Sequence, residues 1–275
     1  YAFIVIIVIL SMIVEIVHLV QNESIRRDAK YTFIVLSSLI IAGVSLEFLG
    51  VYFDGCVGTS FIHKMVKTFE LFIAISIPFG FYIAIRDEEV INVYDYPIII
   101  IVFVAYVINI LNIFYPILFT IDENDLYVRG RFFIIYPITY VLEAIIVTIK
   151  LIYRMNKFQN KNRISVISML LFYLICFIYR IFNYSLRADY LIVGILEMFF
   201  ISYFSDMTLK VDELTQLLNR RTYENHINSI FYKTCIIKMD VNNFKEINDT
   251  YGHSCGDVCL KVIADTILEV YSSVG

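Results

Sequence analysis

The sequence predicts an all-α polytopic membrane bundle of about seven helices followed by an incomplete α/β domain. Three observations carry this: a strongly apolar composition, recurring apolar runs near membrane-spanning length, and an abrupt change of pattern after Phe204. Of the 275 residues, 59% are hydrophobic and 17% charged, whereas soluble domains run to roughly half apolar and about a quarter charged. The mean hydropathy of +0.74 points the same way. The net charge of −4 is too small to argue for or against a nucleic-acid partner, and none is expected.

A bilayer core asks for about 20 apolar residues per helix. The candidates are Tyr1–Val20, Tyr31–Phe53, Lys67–Ile85, Pro97–Phe119, Phe132–Tyr153, Ile164–Phe182 and Tyr190–Phe204. Helix is the only sensible form for them, because lipid offers no partner to backbone N–H and C=O groups. The odd-numbered connections are the more basic: Arg26, Arg27 and Lys30 in the first, Arg86 among Asp87, Glu88 and Glu89 in the third, and Arg154, Lys157, Lys161 and Arg163 in the fifth. Positive connections face the cytoplasm. This predicts a multi-pass protein of the inner or plasma membrane, with its N-terminus outside and its C-terminal region cytoplasmic. The fourth connection, Thr120–Arg131, begins acidic and is expected as an outward loop. Tyr1 lies inside an apolar run with no basic stretch before it, so a signal peptide is not expected. Both termini read as cut ends of a longer chain.

Ionisable residues inside the spans are costly in lipid and are expected to face the bundle interior: Glu15, His18, Glu47, Glu70, Glu143, Arg180 and Glu197. They serve either interhelical hydrogen bonding or a ligand pocket or ion path. Asn109 and Asn112 are expected as helix–helix contacts. The five cysteines (Cys56, Cys176, Cys235, Cys255 and Cys259) have irregular spacings without a zinc pattern and read as small buried or half-buried thiols.

After Phe204, Met207, Val211, Leu214 and Leu218 recur at helical spacing, which predicts an amphipathic helix over Ser205–Arg221. The domains are therefore expected as 1–204, a transmembrane sensory or anchoring bundle; 205–221, a signalling helix and linker; and 222–275, the first part of a soluble domain. Within the last, Thr234–Met239 predicts a strand, Phe244–Thr250 one or two helical turns, and Asp257–Val270 an amphipathic helix.

The stretch Lys238–Leu260 carries the chemistry. A carboxylate at a strand end, Asp240, is placed to hold a hard cation such as Mg²⁺. The turn Val241–Phe244 leads into a helix whose N–H groups can meet phosphate, and Lys245 adds a point charge for phosphate oxygens. Asn248 and Asp257 are polar positions among packing residues. An Asp can accept paired hydrogen bonds from a guanine edge, which adenine does not offer. An EF-hand reading fails, since its Gly and its last Glu are not in place.

These residues resemble the first block of the GGDEF family, D-x-D-x-F-K-x-x-N-D-x-x-G-H-x-x-G-D-x-x-L. Asp240, Asn242, Phe244, Lys245, Asn248, Asp249, Gly252, His253, Gly256, Asp257 and Leu260 occupy its positions. Upstream, Asp212–Arg221 is similar to the family's leading motif D-x-L-T-G-L-x-N-R-R. The resemblance covers Asp212–Gly275. It implies a ferredoxin-like or adenylyl-cyclase-like α/β fold and a membrane-anchored diguanylate cyclase, condensing two GTP into cyclic di-GMP with release of pyrophosphate. Asp240 and the Val241 carbonyl would be metal ligands, Asn243 and Phe244 backbone donors to phosphate, Lys245 the catalytic cation, and Asn248 and Asp257 the guanine readers. Asp212 and Arg221 would form a structural turn. The family's chemistry needs two domains, hence a homodimer through the signalling helix and the GGDEF domain.

Two departures stand in the motifs: Asn242 replaces an Asp and Gln216 replaces a Gly. The GGDEF loop itself is not among the 275 residues and is expected beyond Gly275, so the stretch is not expected to be catalytically complete. The alternatives are a degenerate domain that binds nucleotide without catalysis, and a receptor whose main work lies in the bundle. A transporter is disfavoured, because the spans lack paired broken helices.

Overall fold

A chain this apolar satisfies its backbone by helix formation, and the computed structural model is built of helices wherever a span is predicted. It describes residues 1–22, 25, 27–86, 91–157, 163–182, 187–212, 214–228 and 235–271. The helices of the first part are α1 (Ala2–Gln21), α2 (Arg27–Phe53), α3 (Ser60–Ile85), α4 (Tyr96–Phe114), α5 (Ile135–Lys157), α6 (Arg163–Phe182) and α7 (Asp189–Thr208). Five of them, α1 to α5, are long and apolar enough to cross a membrane among the described residues. The predicted sixth and seventh spans are helices of 20 residues each. Of the residues singled out above, Arg26, Asp87, Glu88, Glu89, Lys161 and Thr234 lie outside the described set. So do the side chains of Arg154, Lys157, Arg163, Arg180, Met207 and Arg221.

The chain divides into two units. Tyr1–Met155 with Asn162–Phe204 form one, and Asn156–Lys161 with Ser205–Gly275 the other. In the first, α2 packs against α1 and α3, and α3 against α4. Ile75 and Tyr82 of α3 bury against Ile98, Val102 and Ala105 of α4. Phe33 of α2 meets Phe200 and Phe204 of α7, with ring centroids 6.0 and 5.7 Å apart. Close helix approach needs small residues: a side chain at Gly43 of α2 would collide with the Tyr190 ring of α7, and one at Gly80 with Leu36.

The buried polar groups test the interior-facing expectation. Glu47, Glu143 and Glu197 are buried, and Ser37 donates to Glu197 Oε1 at 2.9 Å, joining α2 to α7. Asn109 donates to the Thr68 carbonyl, an α4–α3 contact. Two expectations are corrected. His18 is exposed near the end of α1, 3.6 Å from Glu15. Asn112 bonds not to a helix but to the chain following its own: its Oδ1 accepts from the N–H groups of Leu118 and Phe119.

That chain is the second surprise. The predicted span to Phe119 stops at Phe114, because Pro116 disfavours helix at the residue before it, and Tyr115 is extended. The expected outward loop is a β-hairpin, β1 (Phe119–Ile121) with β2 (Tyr127–Arg129), antiparallel with Thr120 opposite Val128. The bundle is therefore not purely helical. Asp122 shapes the turn by accepting from the N–H groups of Asn124 and Leu126. The hairpin is tied to the α2–α3 connection: Gly58 N–H donates to Asp125 Oδ2 at 2.7 Å, and Tyr127 N–H to Asp54 Oδ1 at 2.9 Å.

The second unit contains α8 (Arg220–Asn228), α9 (Phe244–Tyr251) and α10 (His253–Tyr271). The predicted amphipathic helix over Ser205–Arg221 is overturned. Helix α7 ends at Thr208, and a tight turn follows, closed by a bridge between Val211 and Leu218. Side chains that bond to nearby backbone defeat helix periodicity here. Asp212 accepts from both the N–H and the hydroxyl of Thr215 at 2.9 Å. Asn219 accepts from the Thr222 N–H that opens α8, and its amide donates to the Leu209 carbonyl. The predicted strand is also not formed: residues 235–240 are without regular structure, since among the described residues no neighbouring strand pairs with them. The sheet of the expected α/β fold is thus not among the described residues.

Gln216 sits at the turn's left-handed position, φ +57°. A side chain there costs about 1–2 kcal/mol, which glycine avoids. Gln216→Gly is expected to stabilise this unit by about 0.5–1 kcal/mol, read as a higher thermal midpoint of the full chain; an unchanged or lower midpoint contradicts it.

The same turn has an acid limb. The Thr215 N–H, and then its hydroxyl, hold the Asp212 carboxyl below its ordinary value. The folded pKa lies below the unfolded one. The contribution is therefore complete above about pH 4 and disappears as pH falls through the lowered folded value. Melting followed against pH should show Asp212→Asn losing less stability on acidification than the wild type.

Candidate functional site

The local sequence around Asp240 builds a short turn and a helical hairpin. Cys235–Asp240 runs exposed into Val241, which is half-buried. Asn243 then takes the left-handed conformation, φ 54°, and swings the chain into α9. Asparagine tolerates that geometry better than most residues. Its side chain does not cap the helix, so the first-turn N–H groups of α9 retain the usual need for an acceptor at a helix start. Phe244 is half-buried and Lys245 exposed. The structure thus gathers Asp240, Val241, Asn243, Phe244 and Lys245 along one continuous approach to a helix N-terminus.

The other two predicted residues lie where α9 turns into α10. Gly252 is the single residue between them, with φ 83° and its N–H on the Asn248 carbonyl at 2.9 Å. Helix α10 then packs back on α9 at Gly256. A Cβ there would collide with Asn248 Oδ1 and lie 3.2 Å from Phe244 Cζ. Asn248 is therefore seated against bare backbone, and Asp257 follows the seat by one residue, exposed. Asn248 Oδ1 is buried with no hydrogen-bond partner among the described residues. The same amide carries an N–H₂ group able to donate.

Sequence reasoning overlooked Gly256 as a positioning element. It lies one residue before the predicted helix Asp257–Val270, and its seat appears only because α10 begins at His253 and returns on α9. Among the described residues no three His, Cys, Asp or Glu side chains gather to hold a metal. The donor set still fits one kind of ion. One carboxylate plus a carbonyl is what Mg²⁺ accepts when water and substrate phosphates complete its shell.

The comparisons bear on this region. Residues 209–274 match the family model described as "Diguanylate cyclase, GGDEF domain". The chain thus carries a GGDEF region after a set of apolar helices fit to cross a membrane. It is 37% identical over 68 residues to the diguanylate cyclase DgcS of Shewanella oneidensis, covering 22% of this chain and 23% of that protein. It is 40% identical over 62 residues to the protein YtrP of Bacillus subtilis, covering 22% and 11%. An uncharacterized membrane protein of Staphylococcus epidermidis is 28% identical over 177 residues, covering 54% of this chain and 48% of the relative. That alignment is longer than the family match, so it reaches into the helices before residue 209. The chain spans less than half the length of each of these relatives. No solved structure matches.

Proposed function

We propose that this chain belongs to a membrane-anchored diguanylate cyclase, which joins two GTP into cyclic di-GMP and releases two pyrophosphates. The observation that carries the reading is the run Asp240–Lys245 at the start of α9, within a GGDEF match. Asp240 and the Val241 carbonyl would hold Mg²⁺, which supplies neutralising charge to the triphosphate. The backbone N–H groups of Asn243 and Phe244 meet phosphate oxygens at the helix start. Lys245 adds a mobile positive charge beside them.

Guanine is read at the other end of α9. The Asn248 amide donates to a purine acceptor, and the Asp257 carboxylate accepts from the N1–H and 2-amino edge. The 3′-hydroxyl of one nucleotide attacks the α-phosphorus of the other, so two such domains must face one another, as a homodimer. The chain's contribution is then mostly orientation and charge. The bundle anchors the domain to the bilayer, with the GGDEF region cytoplasmic, as its basic odd-numbered connections favour. Because α7 ends at Thr208, regulation by a continuous coupling helix to Leu218 is not proposed; the 209–219 turn is the segment a bundle motion must pass through.

The test is cyclic di-GMP formation from GTP and Mg²⁺ by the full-length protein. Product formation supports the enzyme; GTP binding without product would establish the nucleotide-binding module instead.

A further inference from the structure

The helical unit holds a half-open cavity of about 330 Å³, within the size range of small-molecule sites. A row of aromatic rings runs along one part of its lining. Phe133, just before α5, begins a series that continues through Tyr136 and Tyr140 to Tyr173 of α6, at centroid separations of 6.0, 6.4 and 6.3 Å. Each of these rings borders the cavity.

Charge is unevenly distributed around it. Glu47 of α2, Glu70 of α3 and Asp189 of α7 line the cavity with Arg129 of β2, and Lys67 stands beside Glu70. Arg129 lies over the Phe133 ring, 4.6 Å from its centre. Glu70 is matched by Lys67 at 2.7 Å. Glu47 is 7% exposed and takes its hydrogen bond from a neutral donor, the Tyr1 hydroxyl, at 2.5 Å. Among the described residues no cation stands within ion-pair distance of it.

A buried carboxylate without a cation is costly, and a cavity beside it is where a cation can enter. Aromatic faces favour an organic cation over a bare metal ion, since they attract its charge and cover its apolar body. An anion would meet the Glu47 carboxylate, and a neutral ligand would leave it without a counter-charge. We propose that this cavity binds a small organic ammonium ion with an apolar body, held by Glu47 and the rings of Tyr136, Tyr140 and Tyr173. This does not rest on the cyclase reading, because the site lies in the helical unit and its ligand is not a nucleotide.

The experiment measures binding of benzyltrimethylammonium to the full chain in lipid nanodiscs by calorimetry, with benzyl alcohol and phenylacetate as uncharged and anionic counterparts. Saturable binding of the cation alone is expected, weakened at least about tenfold by Glu47→Gln. Tyr140→Phe keeps the ring and should retain binding, whereas Tyr140→Leu should lose it, with unchanged melting temperatures certifying both folds. Equal binding of the uncharged counterpart, or affinity indifferent to both Glu47→Gln and Tyr140→Leu in folded protein, overturns the proposal.

Discussion

Asp240→Ala in the full-length protein is expected to lower cyclic di-GMP production by at least about 100-fold while leaving the melting temperature within error of wild type. The magnitude follows from its assigned place. Residues that only orient a metal ligand cost about 10–100-fold when removed, and a direct carboxylate ligand should cost no less. The folding cost is small because Asp240 is exposed and ends a segment without regular structure; surface changes of that kind stay within about 0.5 kcal/mol. Raising Mg²⁺ should restore part of the activity if metal affinity is what was lost. Retained turnover in Asp240→Ala would falsify the metal assignment, and with it the core of the proposed chemistry.

Gly256→Ala should separate stability from recognition. In a helix, alanine is favoured over glycine by about 0.5–1 kcal/mol, so α10 itself gains. The new methyl, however, occupies the position of Asn248 Oδ1. Asparagine has a short side chain, and its amide must rotate away from the seat. The N–H₂ group moves with it. Affinity for GTP is expected to fall about 10- to 100-fold, as for an unsatisfied buried polar contact of about 1–3 kcal/mol. Discrimination against ATP should narrow, because Asp257 would act without its partner. Equilibrium binding of GTP and ATP to the full-length variant checks this; unchanged affinity with unchanged selectivity would remove Asn248 from the guanine site. Phe244, 3.2 Å from the same methyl position, is the alternative point of yielding, and a change in Mg²⁺-independent phosphate affinity would identify it.

The extent to which the site was legible differs from residue to residue. Asp240, Lys245, Asn248 and Asp257 stand out because a long spaced motif carries them; α9 formed where it was expected, and α10 covers its expected span but begins earlier, at His253. The seat at Gly256 was not legible, since it depends on how closely α10 returns to α9. The supposed helix over Ser205–Arg221 shows the opposite failure. Its apolar residues recur at the right spacing, yet Asp212, Thr215 and Asn219 bond to local backbone and turn the chain instead. Periodicity records which faces are apolar, not which hydrogen bonds compete.

Composition and apolar run length were enough to dictate a helical membrane-type region, because lipid and backbone hydrogen bonding leave few other solutions. The motif order was enough to locate the GGDEF region. Pro116 ends α4 by a local rule, but only packing decided that the hairpin after it would fasten onto the α2–α3 connection. Only packing, too, set Glu47 and the tyrosines of α5 and α6 around one cavity. Glu47, the Tyr136–Tyr140 pair and Tyr173 lie on three helices far apart in the chain, and no local pattern encodes a distance between helices; that distance is fixed by which side chains interlock.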